Sequence, residues 1–303
     1  MKIDRSILCR AVFVCGPTSA GKSSVAVALA QKHGGEIVNA DAFQLYREFP
    51  VLGAQPSEVE RAEVPHHLFG CIACADEMDA ARYAGMALPV VADVIGRGLV
   101  PFIVGGSGFY LQALMAGLPE LPAIDSSIRE EVRAMPLTVM LERLHELDPA
   151  SALSVDPQNP RRVARRLELC LQTGGPASAI LTALPVPEGL HGVVLVRERA
   201  DLATRIAEAV ASRLAGGAID EVRASRATAS PTARQILGWR EITAFLDGDI
   251  TEDKCREDIT LATKRYAKRQ LTWFRGRSTF AAESISSVTT ETLDRIARQL
   301  GLS

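Results

Sequence analysis

The sequence has no apolar run approaching the roughly 20 residues that cross a bilayer. It also lacks the layout of a signal peptide: one lysine and two arginines stand before a short apolar stretch that leads into a glycine loop. A protein of the cytoplasm, with no membrane span, is expected. There is little charge imbalance, a formal net of −2 over 303 residues. Composition therefore does not mark a nucleic-acid binder, and only local clustering of cations could. No internal repeat or low-complexity segment is present. A paired metal-ligand pattern is missing too. The six cysteines are Cys9, Cys15, Cys71, Cys74, Cys170 and Cys255. Cys71 and Cys74 form a single C-x-x-C behind His66-His67, without a second pair and outside a thioredoxin-like context. These thiols read as structural or incidental, and disulfides are not expected in that compartment.

What is present begins with Gly16-Pro17-Thr18-Ser19-Ala20-Gly21-Lys22-Ser23, the G-x-x-x-x-G-K-S pattern of a phosphate-binding loop. Ala11–Cys15 before it is apolar enough for a buried strand, and the residues from Ser23 onward read as a helix. A strand, a glycine turn and a helix start together aim backbone N–H groups at one point. Lys22 adds a mobile positive charge, and the Ser23 hydroxyl can bind Mg²⁺. The chain is expected to hold a di- or triphosphate.

Further strands are expected at Glu36–Ala40, Val100–Val104 and Gly192–Val196, with a helix over Asp79–Gly96 that Pro89 would kink. Alternating strands and helices imply an α/β fold: a parallel sheet covered by helices, with ligands outside the carboxyl ends of the strands. After Gly117 the rhythm changes, at the proline-punctuated Leu118–Pro122. The division expected is a phosphate-loop core over 1–117, an inserted helical domain over 118–191, and a return to the core with further helices over 192–303. The tail beyond Arg277 reads as a turn-rich link and one amphipathic helix.

Several polar residues fall just past strand ends. Asp41 could hold Mg²⁺, act as a general base, or simply cap a helix. Gln44 offers an amide that can pair with a base edge. Gly105-Gly106-Ser107-Gly108 lacks the G-x-G-x-x-G spacing of a dinucleotide site, so Ser107 is either a helix cap, a hydroxyl aimed into the cleft, or both. Two segments are locally basic. Arg161, Arg162, Arg165 and Arg166 stack in pairs on a helix, with Glu168 as an available counter-charge. Lys264–Arg275 interleaves Lys264, Arg265, Lys268 and Arg269 with Tyr266, Trp273 and Phe274, a mixture suited to unpaired RNA. Trp273 and Phe274 are expected to lie at least partly in the core.

Taken in order, these motifs resemble those of the tRNA dimethylallyltransferase (tRNA isopentenyltransferase) family. The resemblance runs from Val12 to about Arg275 and rests on the phosphate loop, Asp41-Ala42-Phe43-Gln44-Leu45-Tyr46, Val64-Pro65-His66-His67-Leu68 and Gly105–Tyr110. It continues through Arg162–Glu168, Gly238-Trp239-Arg240-Glu241 and Tyr266–Arg275. It implies transfer of a dimethylallyl group from dimethylallyl diphosphate to N6 of adenosine 37 beside the tRNA anticodon. The phosphate loop and Lys22 would then hold an isoprenoid diphosphate, with Mg²⁺ on Ser23, and Asp41 would take the proton of the attacking amine. Ser107 stands where the family usually has threonine. Asp41, Ala42, Phe43, Gln44, Ser107, Arg129, Arg161, Arg162, Arg165, Lys268 and Arg269 are the residues implied to meet tRNA, and a monomer is expected. The sequence departs from the family pattern at Ala42, usually serine, and at Gln55, usually lysine. It departs again at Asn159, commonly acidic, and at Arg166, commonly small. An adenylate isopentenyltransferase, a phosphate-loop small-molecule kinase and an RNA-binding module without catalysis are the other readings.

Overall fold

The apolar runs become strands that lie side by side in a computed structural model describing residues 4–182 and 184–302. The strands are β1 (Val12–Cys15), β2 (Gly35–Asn39), β3 (His66–His67), β4 (Val100–Gly105), β5 (His191–Val196) and β6 (Ala281–Ser284). They form one sheet in the order β3-β2-β4-β1-β5-β6, with every neighbouring pair parallel. All four β1 residues are buried, as expected for a parallel strand covered on both faces. In register, Cys15 lies opposite Gly105 and Val194, and Asn39 lies opposite Val104. The carboxyl ends of β1, β2 and β4 are therefore level, and the loops that leave them emerge together.

One face of the sheet carries Val12, Val14, Phe102, Val104, Val193 and Leu195, which pack with Val25 and Leu29 of the helix Lys22–His33 and Ile296 of the helix Thr290–Gln299. The alternate residues Phe13 and Ile103 fall on the opposite face. Tyr83 of the helix Ala80–Gly96, and Leu111 and Leu114 of the helix Gly108–Met115, are equally without exposure. Each such side chain contributes roughly 1.5–3 kcal/mol. Pro89 sits inside the helix Ala80–Gly96 without ending it.

Two strands differ from expectation. His66–His67 and Ala281–Ser284 carry no strand pattern in the sequence, and the structure places them at the two edges of the sheet. β6 stands in what reads as a turn-rich link. Its residues are mostly exposed, so it has no apolar signature.

The chain divides into two compact units. One holds the residues up to Met115 with those from Val186 onward, and the other is Ala116–Pro185. Residues 186–191, expected in the insertion, thus go with the sheet and residues 116–117 with the helical unit; the Cys9 thiol donates to the Glu188 carbonyl at 3.0 Å. The second unit is helical, built from Ser126–Ala134, Leu137–Leu147, Pro149–Ser154, Pro160–Thr173 and Ala177–Ile180. Val132, Leu144, Val163, Leu167 and Leu169 form its core. Asp148 is buried there and accepts hydrogen bonds from Ser151 N, Ser178 N and Ser178 Oγ at 2.7–3.0 Å. Burial alone would raise its carboxyl, but the bonds from Ser151 and Ser178 outweigh that and bring it down to about 2.

Candidate active site

The phosphate loop joins β1 to the helix Lys22–His33. Gly16 and Gly21 have φ of 141° and 94°, in the region that favours glycine. A side chain at Gly16 would also run into the Leu195 carbonyl of β5. The first amides of the helix have no partner one turn back, and they face the loop's interior. Lys22 rests its ammonium on the Pro17 carbonyl at 2.8 Å. Burial pushes that ammonium down from its ordinary value, and the Asp41 charge pushes back. The exposed Ser23 hydroxyl has no hydrogen-bond partner among the described residues.

The loop is braced from distant parts of the chain. The buried Gln270 accepts from Thr18 N and donates to the Gly106 carbonyl, both at 2.9 Å. A side chain at Gly106 would collide with the Gln270 amide. The Arg197 side chain donates to the Ala20 carbonyl at 3.0 Å, to Asp201 at 2.7 Å and to the Ser286 carbonyl at 2.7 Å. Arg205 donates to the Ser19 carbonyl at 3.2 Å.

Asp41 follows β2 and precedes a short 3₁₀ turn, Ala42–Gln44. Its Oδ1 accepts from Phe43 N at 3.1 Å, so the capping role is real. The carboxylate also lines the central cavity, so the two readings of Asp41 coexist. Asn39, fully buried, holds the segment from both sides. Its Oδ1 accepts from Asp41 N at 2.8 Å, and its Nδ2 donates to the carbonyls of Asp41 and Leu68 at 3.0 and 2.9 Å. The Tyr83 hydroxyl in turn donates to the Asn39 carbonyl at 2.9 Å. Ser107 Oγ accepts from Ala42 N at 2.9 Å. That bond crosses the cleft to the residue next to Asp41, and the same hydroxyl also lies within hydrogen-bonding reach of the Tyr266 phenol.

A cavity of about 570 Å³ runs along these groups, lined by Lys22, Ser23, Asp41, Phe43, Gln44 and Tyr266, among others. The Phe43 and Tyr266 rings lie 5.6 Å apart at a tilt of 43°. Burial raises the Tyr266 phenol, and the Asp41 charge adds to that. Gln44 donates its amide to the Ala54 carbonyl at 2.5 Å. One face of the helix Arg199–Ala215, carrying Arg205, Glu208, Ala209, Ser212 and Arg213, forms a further wall.

The basic segment of the helix Glu252–Arg277 has two faces. Gln270 and Phe274 are buried, Trp273 is half-buried against Gly108, and Lys268 and Arg269 are exposed. The Arg269 guanidinium stands 5.5 Å above the Tyr266 ring. In the helical unit, Arg129, Arg161 and Arg162 are exposed. Arg165 pairs with Glu168 at 3.5 Å, and Arg166 donates to the Ser151 carbonyl and the Ser154 hydroxyl at 3.1 and 2.7 Å. Arg166 therefore ties two helices together. Asn159, in a position commonly acidic, caps the helix Pro160–Thr173 by accepting from Arg162 N at 3.2 Å. Gln55 donates to the Tyr46 carbonyl at 2.7 Å and accepts from Arg61 at 3.2 Å.

Sequence reasoning missed Asn39, Arg197, Arg205, Arg213 and the bracing role of Gln270. Asn39 could have been found by its place at a strand end two residues before Asp41. The others carry no local signal. Cys74 is buried with its thiol 3.8 Å from the Thr228 hydroxyl, and the described residues hold no grouping of three His, Cys, Asp or Glu able to bind a metal.

With this geometry in view, comparison with known proteins is informative. The IPP transferase family model matches residues 44–277, and the isopentenyl transferase family model matches residues 9–65. The tRNA dimethylallyltransferase of Parvibaculum lavamentivorans is 41% identical, over 92% of this chain and 94% of its own. That of Sphingopyxis alaskensis is 39% identical, over 95% and 97%. The crystal structure of the tRNA isopentenylpyrophosphate transferase from Bacillus halodurans superposes with a TM-score of 0.70 at 30% identity, covering 96% of both chains. A eukaryotic dimethylallyltransferase captured acting on tRNA superposes at 0.77 over 90% of this chain; at 24% identity it speaks for the fold alone. With matches of this extent and a phosphate loop and aspartate that share one cavity, the chain belongs to the tRNA dimethylallyltransferase family.

Proposed function

We propose that this chain transfers a dimethylallyl group from dimethylallyl diphosphate to N6 of adenosine 37 in tRNA, releasing diphosphate. The observation that carries this reading is that Lys22 and Asp41 line the same cavity. A bond between the prenyl carbon and N6 forms while the carbon–oxygen bond to the diphosphate breaks. The bonding electrons leave on the diphosphate, and one N6 proton goes to Asp41. The exocyclic amine is a weak nucleophile, since its lone pair is delocalised into the purine, so removing the proton as the bond forms lowers the barrier. Loop amides and Lys22 stabilise the charge that grows on the leaving group. Ser107, bonded to Ala42 N, fixes the turn that aims Asp41 and can donate its own proton to the amine or to a phosphate oxygen.

Ser23 fits Mg²⁺: its hydroxyl is a hard oxygen donor without a partner among the described residues, beside the place a diphosphate would take. When bound there, Mg²⁺ supplies further neutralisation of diphosphate charge.

Adenosine 37 must leave its stack to enter the cavity, at a cost of a few kcal/mol. Phe43 and Tyr266 offer ring surfaces for the extruded purine. Gln44 would have to exchange its bond to Ala54 for a base edge. Arg129, Arg161, Arg162, Lys268 and Arg269 are exposed cations suited to RNA phosphates. Arg165 can join them beside its Glu168 partner. In this reading the protein acts as a monomer in the cytoplasm, and every cavity group named above comes from one chain.

The test is mass spectrometry of adenosine 37 in tRNA incubated with the pure protein, Mg²⁺ and labelled dimethylallyl diphosphate. The wild type is expected to add the label there. Asp41→Ala should turn over about 10²–10⁴-fold more slowly with little change in RNA binding. Label found in AMP and never in an anticodon stem-loop would overturn the tRNA reading. Near-normal turnover in the variant would remove Asp41 from the mechanism.

A further inference from the structure

Arg213 is a cavity group to which the reaction above gives no task. It stands near the end of the helix Arg199–Ala215, on the face that also carries Arg205, Glu208, Ala209 and Ser212. Spacings of three, four, seven and eight residues from Arg205 make this one stripe, and the stripe forms a wall of the cavity. Arg205, at its near end, touches the phosphate loop through Ser19. Arg213 lies two turns further on, about 12 Å along the axis. The cavity lining also includes the apolar Leu52, Ile236 and Leu237.

The other cavity arginine is committed to a protein carbonyl, and Arg213 is not. Its guanidinium makes no hydrogen bond and no ion pair among the described residues. The cavity's carboxylates, Asp41, Glu60 and Glu208, form no ion pair with it. Burial pushes the guanidinium below its ordinary value, opposed by the charge of Asp41. A partly desolvated cation without a partner is unfavourable in the free protein, and an anion entering the cavity relieves that cost. The planar five-donor fork of arginine fits two oxygens of one phosphate.

We infer that Arg213 is a second phosphate anchor of this cavity, set on a separate wall from the phosphate loop and holding a phosphoryl oxygen of a bound substrate. The inference deepens the proposed transfer reaction and rests on it for the identity of the substrates. Two sources offer the same chemistry: the diphosphate of the isoprenoid donor, and the RNA backbone beside the extruded purine. In the first case the diphosphate is gripped from two sides, by Lys22 with the loop amides and by Arg213. In the second, Arg213 fixes the depth to which the nucleotide enters.

Calorimetric titration of inorganic pyrophosphate and of an anticodon stem-loop separates the two. Arg213→Met keeps length and apolar contact while removing charge and donors. It should weaken one of the two ligands by roughly 10- to 100-fold, as expected for losing charge-assisted hydrogen bonds. Weakened pyrophosphate assigns the anchor to the donor; weakened stem-loop with unchanged pyrophosphate assigns it to the acceptor. Arg213→Lys should recover part of the loss. Arg226→Met, which removes an exposed cation paired with Asp247, should bind both ligands as the wild type does. Each variant is melted beside the wild type, and Arg213→Gln replaces Arg213→Met if the latter does not fold. Unchanged binding of both ligands, or equal weakening by Arg226→Met, overturns the inference. The pyrophosphate titration needs no turnover, so a wild type that binds pyrophosphate through Arg213 yet transfers no prenyl group would remove the proposed reaction and leave the anchor standing.

Discussion

Gln270 and Asp148 are both buried, hydrogen-bonded polar side chains, yet they reach over very different lengths of chain. Gln270, in the sheet-bearing unit, joins Thr18 to Gly106 across separations of 252 and 164 residues. Asp148, in the helical unit, gathers groups 3 and 30 residues away. The sheet-bearing unit builds its site from loops that meet only once the whole sheet has formed. The helical unit closes a local core whose periodic Val163, Leu167 and Cys170 are read from one helix. A bond that bridges loops controls the geometry of the chemistry, and a bond within a local core controls only whether that core holds.

Breaking the bridge should have the largest effect. Gln270→Ala leaves Thr18 N and the Gly106 carbonyl without a partner, and we expect a loss of about 1–3 kcal/mol in chemical denaturation. Turnover should fall at least about tenfold, because the phosphate loop and the Ser107 loop lose their common brace. Wild-type turnover in a destabilised variant would show that the bridge serves stability alone.

Breaking the local network should affect stability without changing the chemistry of the core. The Asp148 carboxyl sits at about 2 in the folded state against 3.8 as its ordinary value. A lowered folded value stabilises above the unfolded one, so the contribution is full above pH 4 and fades as pH falls from about 4 towards 2. Its size is on the order of 2 kcal/mol. Asp148→Asn should lose that amount at pH 7, and its stability should vary less than the wild type's across the acid range. Parallel acid profiles would show that Asp148 is not the titrating group. The smallest effect concerns the exposed side of the long helix. Lys268→Ala with Arg269→Ala should weaken tRNA binding about tenfold and lower the salt dependence by about two counterions. An unchanged slope would place that surface away from the RNA.

The same contrast explains what the sequence reveals. β1, β2, β4 and β5 are apolar runs between turn signals, and the phosphate loop and Asp41 sit in short local motifs. All of these are legible because their physics is local. His66–His67 and Ala281–Ser284 are edge strands of two and four residues with little burial, so no pattern marks them. Gln270 lies inside a segment read for its charges, and its burial is decided by Gly106 and Thr18, far away in sequence. Arg197 stands just before the start of an ordinary helix and Arg213 in its last turn. Only the folded sheet turns one towards the Ala20 carbonyl and the other towards the cavity. Trp273 and Phe274 were legible as partly buried, since an aromatic pair at the end of a basic stripe must find cover.

Arg197 gives the tail of the chain an unexpected importance. By joining the Ala20 carbonyl to the Ser286 carbonyl, it fastens one of the first turns to be synthesised to one of the last segments to be made. During translation the glycine turn leaves the ribosome early, and its bracing is complete only once Gln270 and then Ser286 have emerged. A truncated chain ending near Arg277 would keep every residue named in the proposed chemistry and still lack the Ser286 end of that clasp.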